Sequence, residues 1–379
     1  MGRREPDRRI ENRVAAVRGE QGLSQEELGR RAGLTRQAVG AIEAGRHVPN
    51  TATSLRLASA LACRVEDLFR VVDEEWTRPV RLSERAPDGP TRAVAVRTKR
   101  GWVAHPLALE RGLQSGFAPG NALLHPGPGT ARAEFWESES HVEETALVLG
   151  CDPALSVLAR HLAKRKGELA WIPASSRRAL DGIRDGTAHL AGSHLAEPGG
   201  PGFNVSQAGA ALRGEGGVMV ALASWEQGLV VSRGNPRAIR EGADLARPDV
   251  TVVNREEGAG ARQLLDQVLR EAGVEPEEVR GYGRVVGSHM AVARAVAEGA
   301  AQVGVALRAA AELHGLGFVP LRAVRFDLVV PEWAREHPTV DAALDLLASG
   351  RFRRELGALP GYEVGSTGSV VAEIDPGET

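Results

Sequence analysis

Four loops in the second half of the chain hold the residue types that could do chemistry. They are Cys151-Asp152, Ser175-Ser176, Asn254-Arg255 with Gly258-Ala259-Gly260-Ala261-Arg262, and Ser288-His289. Each follows an apolar run that reads as a strand, and each opens an amphipathic segment that reads as a helix. A helix N-terminus offers unpartnered backbone N–H groups and the positive end of the dipole, which together hold an anion. Several such ends facing one cleft would make an oxyanion or carboxylate pocket with few cations. The candidate ligand contacts are therefore Cys151, Ser175, Ser176, Arg255, Gly260, Arg262, Ser288 and His289. His194, at the end of another strand of the same sheet, joins them.

Each residue also has a plainer reading. The serines cap helices. Arg255 and Arg262 pair with Glu256, Glu257 or Asp266. Cys151 is an inert thiol, or one whose pKa is lowered at a helix N-terminus. Asp152 reads as a cap, and Asp327 as a hinge anchor that bonds backbone N–H groups.

Catalytic signatures are missing. There is no HExxH, no GxxxxGK[ST], no paired CxxC and no Gly-x-Ser-x-Gly. Gly281–Gly287 departs from GxGxxG because its third glycine comes one residue late. Ser193-His194 and Ser288-His289 are adjacent in sequence, a poor arrangement for a nucleophile and its base. The chain reads as a non-enzyme without a cofactor. His105, His125 and His141 are scattered, fit no metal spacing, and read as surface histidines, so no metal is expected. The two cysteines, Cys63 and Cys151, allow no disulfide framework, which fits a reducing compartment. Cys63 reads as a buried small hydrophobe.

The elements that must position these residues follow from length and pattern. The chain has 379 residues, enough for two or three domains at roughly 150 each. It is 42% hydrophobic and 25% charged, so wholesale disorder is excluded, and only 4% aromatic, so its cores are Leu, Val and Ala. Of 47 basic residues only Lys99, Lys164 and Lys166 are lysine, which reads as codon bias. The net charge is −2, yet residues 1–70 carry 13 Arg against 9 Asp and Glu. No secretory pattern or membrane-length apolar run appears, and a cytoplasmic protein with no membrane partner is expected.

Residues 10–71 read as short helices. Ile10, Val14 and Val17 have helical spacing. Ser24 with Glu27 forms a capping box. Thr35 caps a third helix, and Thr51 or Thr53 opens a fourth. Ala32-Gly33-Leu34-Thr35 joins two of these helices as in a helix-turn-helix. Residues 72–144 read as a linker with short β-strands, including a hairpin about Lys99-Arg100-Gly101. From Thr145 strands and helices alternate. "GGVMVALASWEQGLVVSRGN" reads as strand, break, strand, and "FVPLRAVRFDLVVP" as another strand or two.

Two resemblances sharpen this. "LSQEELGRRAGLTRQAVGAIEAGRHVPNTATSLRLASALACRVEDLF" resembles the Cro/C1 (XRE) DNA-binding domain along its whole length. The resemblance implies a recognition helix from Thr35 in the major groove. Thr35, Arg36 and Gln37 would face DNA, Arg36 reading guanine and Gln37 adenine. Gln25 and Arg46 would hold phosphates. Arg18 and Glu43 would form a structural pair.

"NREEGAGAR", "SHMAVARAVAEGAAQVGVAL" and "FDLVVP" resemble the type II periplasmic-binding-protein fold, in the cytoplasmic form joined to helix-turn-helix regulators and to some molybdopterin-biosynthesis proteins. That family has N-R-x-x-G-S-G-T-R. Here Ala259 and Ala261 replace its Ser and Thr, so two pocket hydroxyls are missing.

The expected fold is multidomain. An all-α helix-turn-helix domain spans 8–71, a small β-rich linker 72–144, a two-lobed α/β periplasmic-binding-protein-like domain 145–365, and a tail 366–379. The expected function is a ligand-responsive transcriptional regulator, a homodimer on an operator in double-stranded DNA. It would sense a small anion: a molybdate- or tungstate-like oxyanion, an organic acid or a pterin-type compound. The alternative is a binding or delivery protein of molybdenum-cofactor metabolism with secondary DNA binding.

Overall fold

The computed structural model describes residues 9–72, 76–86, 88–107, 119–127, 130–163, 168–197 and 202–377. The chain divides into two units: residues 1–76 with 136–138, and residues 77–135 with 139–379.

In the first unit β1 (Arg9–Asn12) precedes α1 (Val14–Glu20), α2 (Gln25–Ala32), α3 (Arg36–Glu43), α4 (Thr51–Ala60), α5 (Val65–Leu68) and β2 (Phe69–Val72). Local chemistry sets these boundaries. Ser24 Oγ accepts from Glu27 N, and Thr35 Oγ1 accepts from Ala38 N. Gly33 ends α2 at φ +66°, a conformation that disfavours any Cβ. The fourth helix is capped by Asn50 rather than a threonine. Ile10 lies outside the first helix, because β1 pairs antiparallel with β2. Val14, Leu28, Val39, Ile42, Leu57, Leu61 and Leu68 form the core. Cys63 packs against it, half-buried.

The segment read as a linker holds more order than that. β3 (Trp76–Leu82), β4 (Thr91–Thr98), β5 (Gly101–Pro106), β6 (Ala122–His125) and β7 (Ala131–Phe135) close into a barrel in the order β3-β5-β4-β6-β7. The β4–β5 hairpin turns at Lys99-Arg100 as its spacing predicts. The Asn121 amide accepts from Ala95 N and donates to Ala95 O, tying β4 to the start of β6.

His105 of β5 is not a surface histidine. It is buried, with Nε2 2.7 Å from Thr187 O. Burial pushes its pKa down from 6.5 to about 4. The unfolded chain therefore binds this proton more readily than the folded one. The stability present at neutral pH falls as pH drops from 6.5 towards 4, by up to about 3 kcal/mol from this group. Urea unfolding at pH 7.5 and pH 4.5 checks this: a His105→Gln variant should lose less on acidification than the parent.

The rest of the second unit is a two-lobed α/β domain. Its first lobe carries α6 (Glu139–Glu143), β8 (Ala146–Gly150), α7 (Ala154–Leu162), β9 (Leu169–Pro173), α8 (Ser176–Arg184), β10 (Leu190–Ser193) and α9 (Val205–Ala211). β11 (Gly217–Val231) then leads to the second lobe, made of β12 (Val252–Arg255), α10 (Gly260–Glu271), β13 (Val285–Val286), α11 (His289–Ala297), β14 (Val303–Leu307) and α12 (Arg308–Leu313). β15 (Gly317–Pro331) returns. α13 (Glu332–Arg335), α14 (Pro338–Leu347), α15 (Gly350–Leu356), β16 (Tyr362–Glu363) and β17 (Val370–Ile374) follow.

The sheet runs β13-β12-β14-β11-β15-β10-β8-β9. Pairing is parallel within each lobe and antiparallel along β11 and β15. Neither long strand is broken. β11 and β15 pair continuously over 15 residues each, and the expected break is only a shift of register between Ala221 and Ala223 and again between Gln227 and Gly228. Alanine at Gly228 would put its Cβ 2.2 Å from Val319 O, so the second irregularity requires glycine. Within 366–379, read as a tail, β17 pairs with β11. Leu155, Leu158, Leu222, Phe326, Leu328 and Phe352 are buried in the largest core, while Leu264, Leu265, Val303 and Val305 fill the second lobe. No described helix is long and apolar enough to cross a membrane.

Candidate ligand-binding cleft

The four strand-to-helix loops meet. Cys151 follows β8, and its Sγ lies 3.5 Å from Nδ1 of His194, which follows β10. Ser176 opens α8; its Oγ lies 3.3 Å from the same nitrogen and accepts the His194 backbone N–H. His289 opens α11 in the other lobe, with ring centroids 5.8 Å from His194. Trp225 of β11 packs on both rings, at 5.0 and 5.6 Å. Arg177 N donates to Gly258 O across the lobes. Gly260 passes so close to His194 that a Cβ there would lie 2.5 Å from its Nε2.

Cys151, Ser175, Ser176, His194, Arg255, Gly260 and His289 are all buried. Ser175 and Ser288 also act as caps, accepting from Arg178 N and Ala291 N. The α10 N-terminus has no side-chain cap, since Ala259 cannot supply one. Arg255 pairs through Nε and Nη2 with Glu256, at 2.8 Å each, and Nη2 also donates to Gly287 O. Arg262 does not make the ion pairs anticipated for it. It donates to Arg255 O and Tyr282 OH, and Tyr282 in turn donates to Asp266.

Buried polar atoms normally find partners. Among the described residues, His194 Nε2, both His289 ring nitrogens, Arg255 Nη1 and Arg322 Nε have none. Burial pushes the His194 imidazole down to about 3, with the Arg255 and Arg322 guanidiniums adding to the effect. Burial, with Arg255 and His194 adding to it, holds His289 well below its ordinary value. Both rings are neutral at pH 7. Cys151 shows no lowered pKa: burial outweighs the pull of Arg255 and lifts the thiol to about 12.

Sequence reasoning missed what holds these residues. Asp152 caps α7 through Ala154 N, as anticipated, but also accepts from Trp225 Nε1 and Tyr362 OH. Burial raises its pKa, opposed by those hydrogen bonds. Asp327 accepts from the side chains of Asn204 and Arg325, at 2.8 Å each, rather than from backbone N–H groups. Asn204 Oδ1 accepts from Ser193 Oγ and Leu195 N, clamping both sides of His194. No spacing rule links positions so far apart.

In the first unit Thr35, Arg36, Gln37 and Arg46 are exposed, the first three at the start of α3. Arg18 and Glu43 form the anticipated pair at 2.6 Å. Gln25 joins it by donating to Glu43 at 2.7 Å.

Residues 14–68 match the helix-turn-helix family model, and residues 159–348 match that of the PBP superfamily domain. The YvgK protein of Bacillus subtilis is 31% identical over 245 residues, covering 64% of this chain and 79% of that protein. An HTH-type transcriptional regulator of Methanothermobacter thermautotrophicus is 46% identical over 62 residues, 16% of this chain and 88% of the relative. Among solved structures, the sulfate-binding protein SubI from Mycobacterium tuberculosis is similar at 16% identity and TM-score 0.43, over 57% of this chain and 86% of that one.

Proposed function

Because the chain belongs to the PBP superfamily-domain family and carries a helix-turn-helix domain ahead of that region, we propose that it is a one-component regulator whose DNA binding responds to a small anionic ligand. The observation that carries the ligand half is the buried cluster between the lobes in which His194 Nε2, both His289 nitrogens, Arg255 Nη1 and Arg322 Nε lack partners among the described residues. Arg255, Arg322 and the uncapped start of α10 favour negative charge there. A molybdate- or tungstate-like oxyanion, an organic acid or a pterin-type compound meets that requirement. The DNA half is supported by the exposed Thr35-Arg36-Gln37 row on α3, positioned as a recognition helix is in its motif. The regulator is proposed to act as a homodimer in the cytoplasm, on a near-palindromic operator.

Binding of ligand and DNA must be coupled reciprocally in such a protein. Anisotropy titrations of labelled operator, with and without each candidate anion at saturation, test it. An operator affinity unmoved by any anion that binds the protein overturns the sensor reading. Arg36→Ala is expected to weaken operator binding by about 10- to 100-fold, corresponding to the 1–3 kcal/mol of a bidentate base contact. Arg46→Ala should weaken specific and random DNA alike and reduce the salt slope by about one.

A further inference from the structure

We propose that the cleft holds a soft metal ion that displaces the Cys151 thiol proton to solvent and is ligated by the resulting thiolate and by imidazole nitrogens of His194 and His289. One ligand atom from each residue lies within 4.8 Å of the other two. The three come from three separate loops of both lobes, and all are buried. Cys151 Sγ and His194 Nδ1 are already 3.5 Å apart. Two ligands of one ion, at about 2.3 Å for sulfur and 2.0–2.1 Å for nitrogen, stand roughly 3.5–3.8 Å from each other. Both nitrogens of His289 lack partners among the described residues, so the ring is fixed by packing and has lone-pair capacity to give.

Donor chemistry narrows the class. One thiolate and two imidazoles select d10 ions, Cu(I) or Zn(II), over hard cations such as magnesium or calcium. The buried surroundings carry both signs, Arg255 and Arg322 against Asp152 and Glu256, so donor type rather than net charge sets the class of ion. The geometry points to a d10 ion enclosed by the two imidazoles, the thiol and the edge-on ring of Trp225.

The inference concerns the same cleft as the regulator reading and takes its location from it, but the two can fail separately. The experiment uses the full chain, anaerobic and reduced. Cu(I) is titrated against a chromogenic Cu(I) chelator, and Zn(II) against a zinc indicator in a parallel series. One d10 ion per chain is expected, and neither ion should be displaced by magnesium or calcium. Loss of an outer partner alone costs about 10- to 100-fold in metal affinity, so Cys151→Ser should lose at least ~100-fold. Cys63→Ser, at the other cysteine, should lose nothing. X-ray absorption at the metal edge of the unaltered protein should show one sulfur and two nitrogen neighbours, a readout independent of variant folding. Absence of stoichiometric metal, or binding intact in Cys151→Ser, would overturn the site. An anion that shifts operator affinity in a protein that takes up no stoichiometric metal would sink the metal and leave the regulator standing. Stoichiometric metal in a protein whose operator affinity no binding anion moves would do the reverse.

Discussion

Gly260→Ala is expected to lower ligand affinity at least about a hundredfold, roughly 2.7 kcal/mol, while leaving the protein folded. The added Cβ would meet His194 Nε2 at 2.5 Å, Cδ2 at 2.6 Å and the His194 carbonyl oxygen at 3.0 Å. His194 cannot yield. Its ring is packed on Trp225 and Phe326, and Asn204 grips the backbone on either side. The lobes must therefore part, since Gly260 and His194 belong to different ones. Gly260 is the first residue of α10, where alanine gains less over glycine than in a helix interior, so a cooperative melting transition is the control that the variant is folded. Calorimetric titration of whichever ligand binds the parent protein checks this. Equal affinity in the variant would mean that closure of this contact is not needed for capture.

Asp152→Ala is expected to destabilise the two-lobed domain by about 3–5 kcal/mol. It strands three buried donors, Ala154 N, Trp225 Nε1 and Tyr362 OH, and an unsatisfied buried donor costs about 1–3 kcal/mol. Asp152→Asn keeps one acceptor oxygen and should lose less. The contrast is informative because Tyr362 reaches back from β16, beyond the second lobe, to fix the loop that carries Cys151. Urea midpoints of the two variants decide the matter. If both fall equally, burial of the carboxylate, not its three bonds, governs stability.

The helix-turn-helix unit was legible because its rules are local. Ser24, Thr35 and Gly33 act within four residues of themselves, and the Arg18–Glu43 pair followed from a motif covering the domain. The cleft was legible in outline for a related reason. A strand feeding a helix leaves free N–H groups wherever it occurs, so loops bearing Cys151, Ser176 and His289 could be picked before their convergence was known. What held them could not. Asp152 meets Tyr362 across 210 residues and Trp225 across 73, and no periodicity encodes such pairings. His105 misled because one histidine in a short strand carries no sign of the Thr187 carbonyl that its ring meets 82 residues away. The barrel was underread because Gly- and Pro-rich connections show strands but not their closure. β11 was split in sequence because Ser224, Glu226 and Gln227 interrupt its apolar run. Gln227 is fully buried, yet its polarity mimics a loop.

The two unbroken strands β11 and β15 have a mechanical consequence. Lobes joined by flexible loops swing freely, and their closure costs mainly entropy. Lobes joined by a paired ribbon can open only by twisting it, which stretches hydrogen bonds on both sides of the shifts at Ala221/Ala223 and Gln227/Gly228. Such a ribbon behaves as a torsion spring with a preferred angle. In the proposed sensor its stiffness would set how fast the cleft opens, and so the lifetime of whatever it encloses. Residues that never touch the cargo, Gly228 among them, would then tune residence time through elasticity alone.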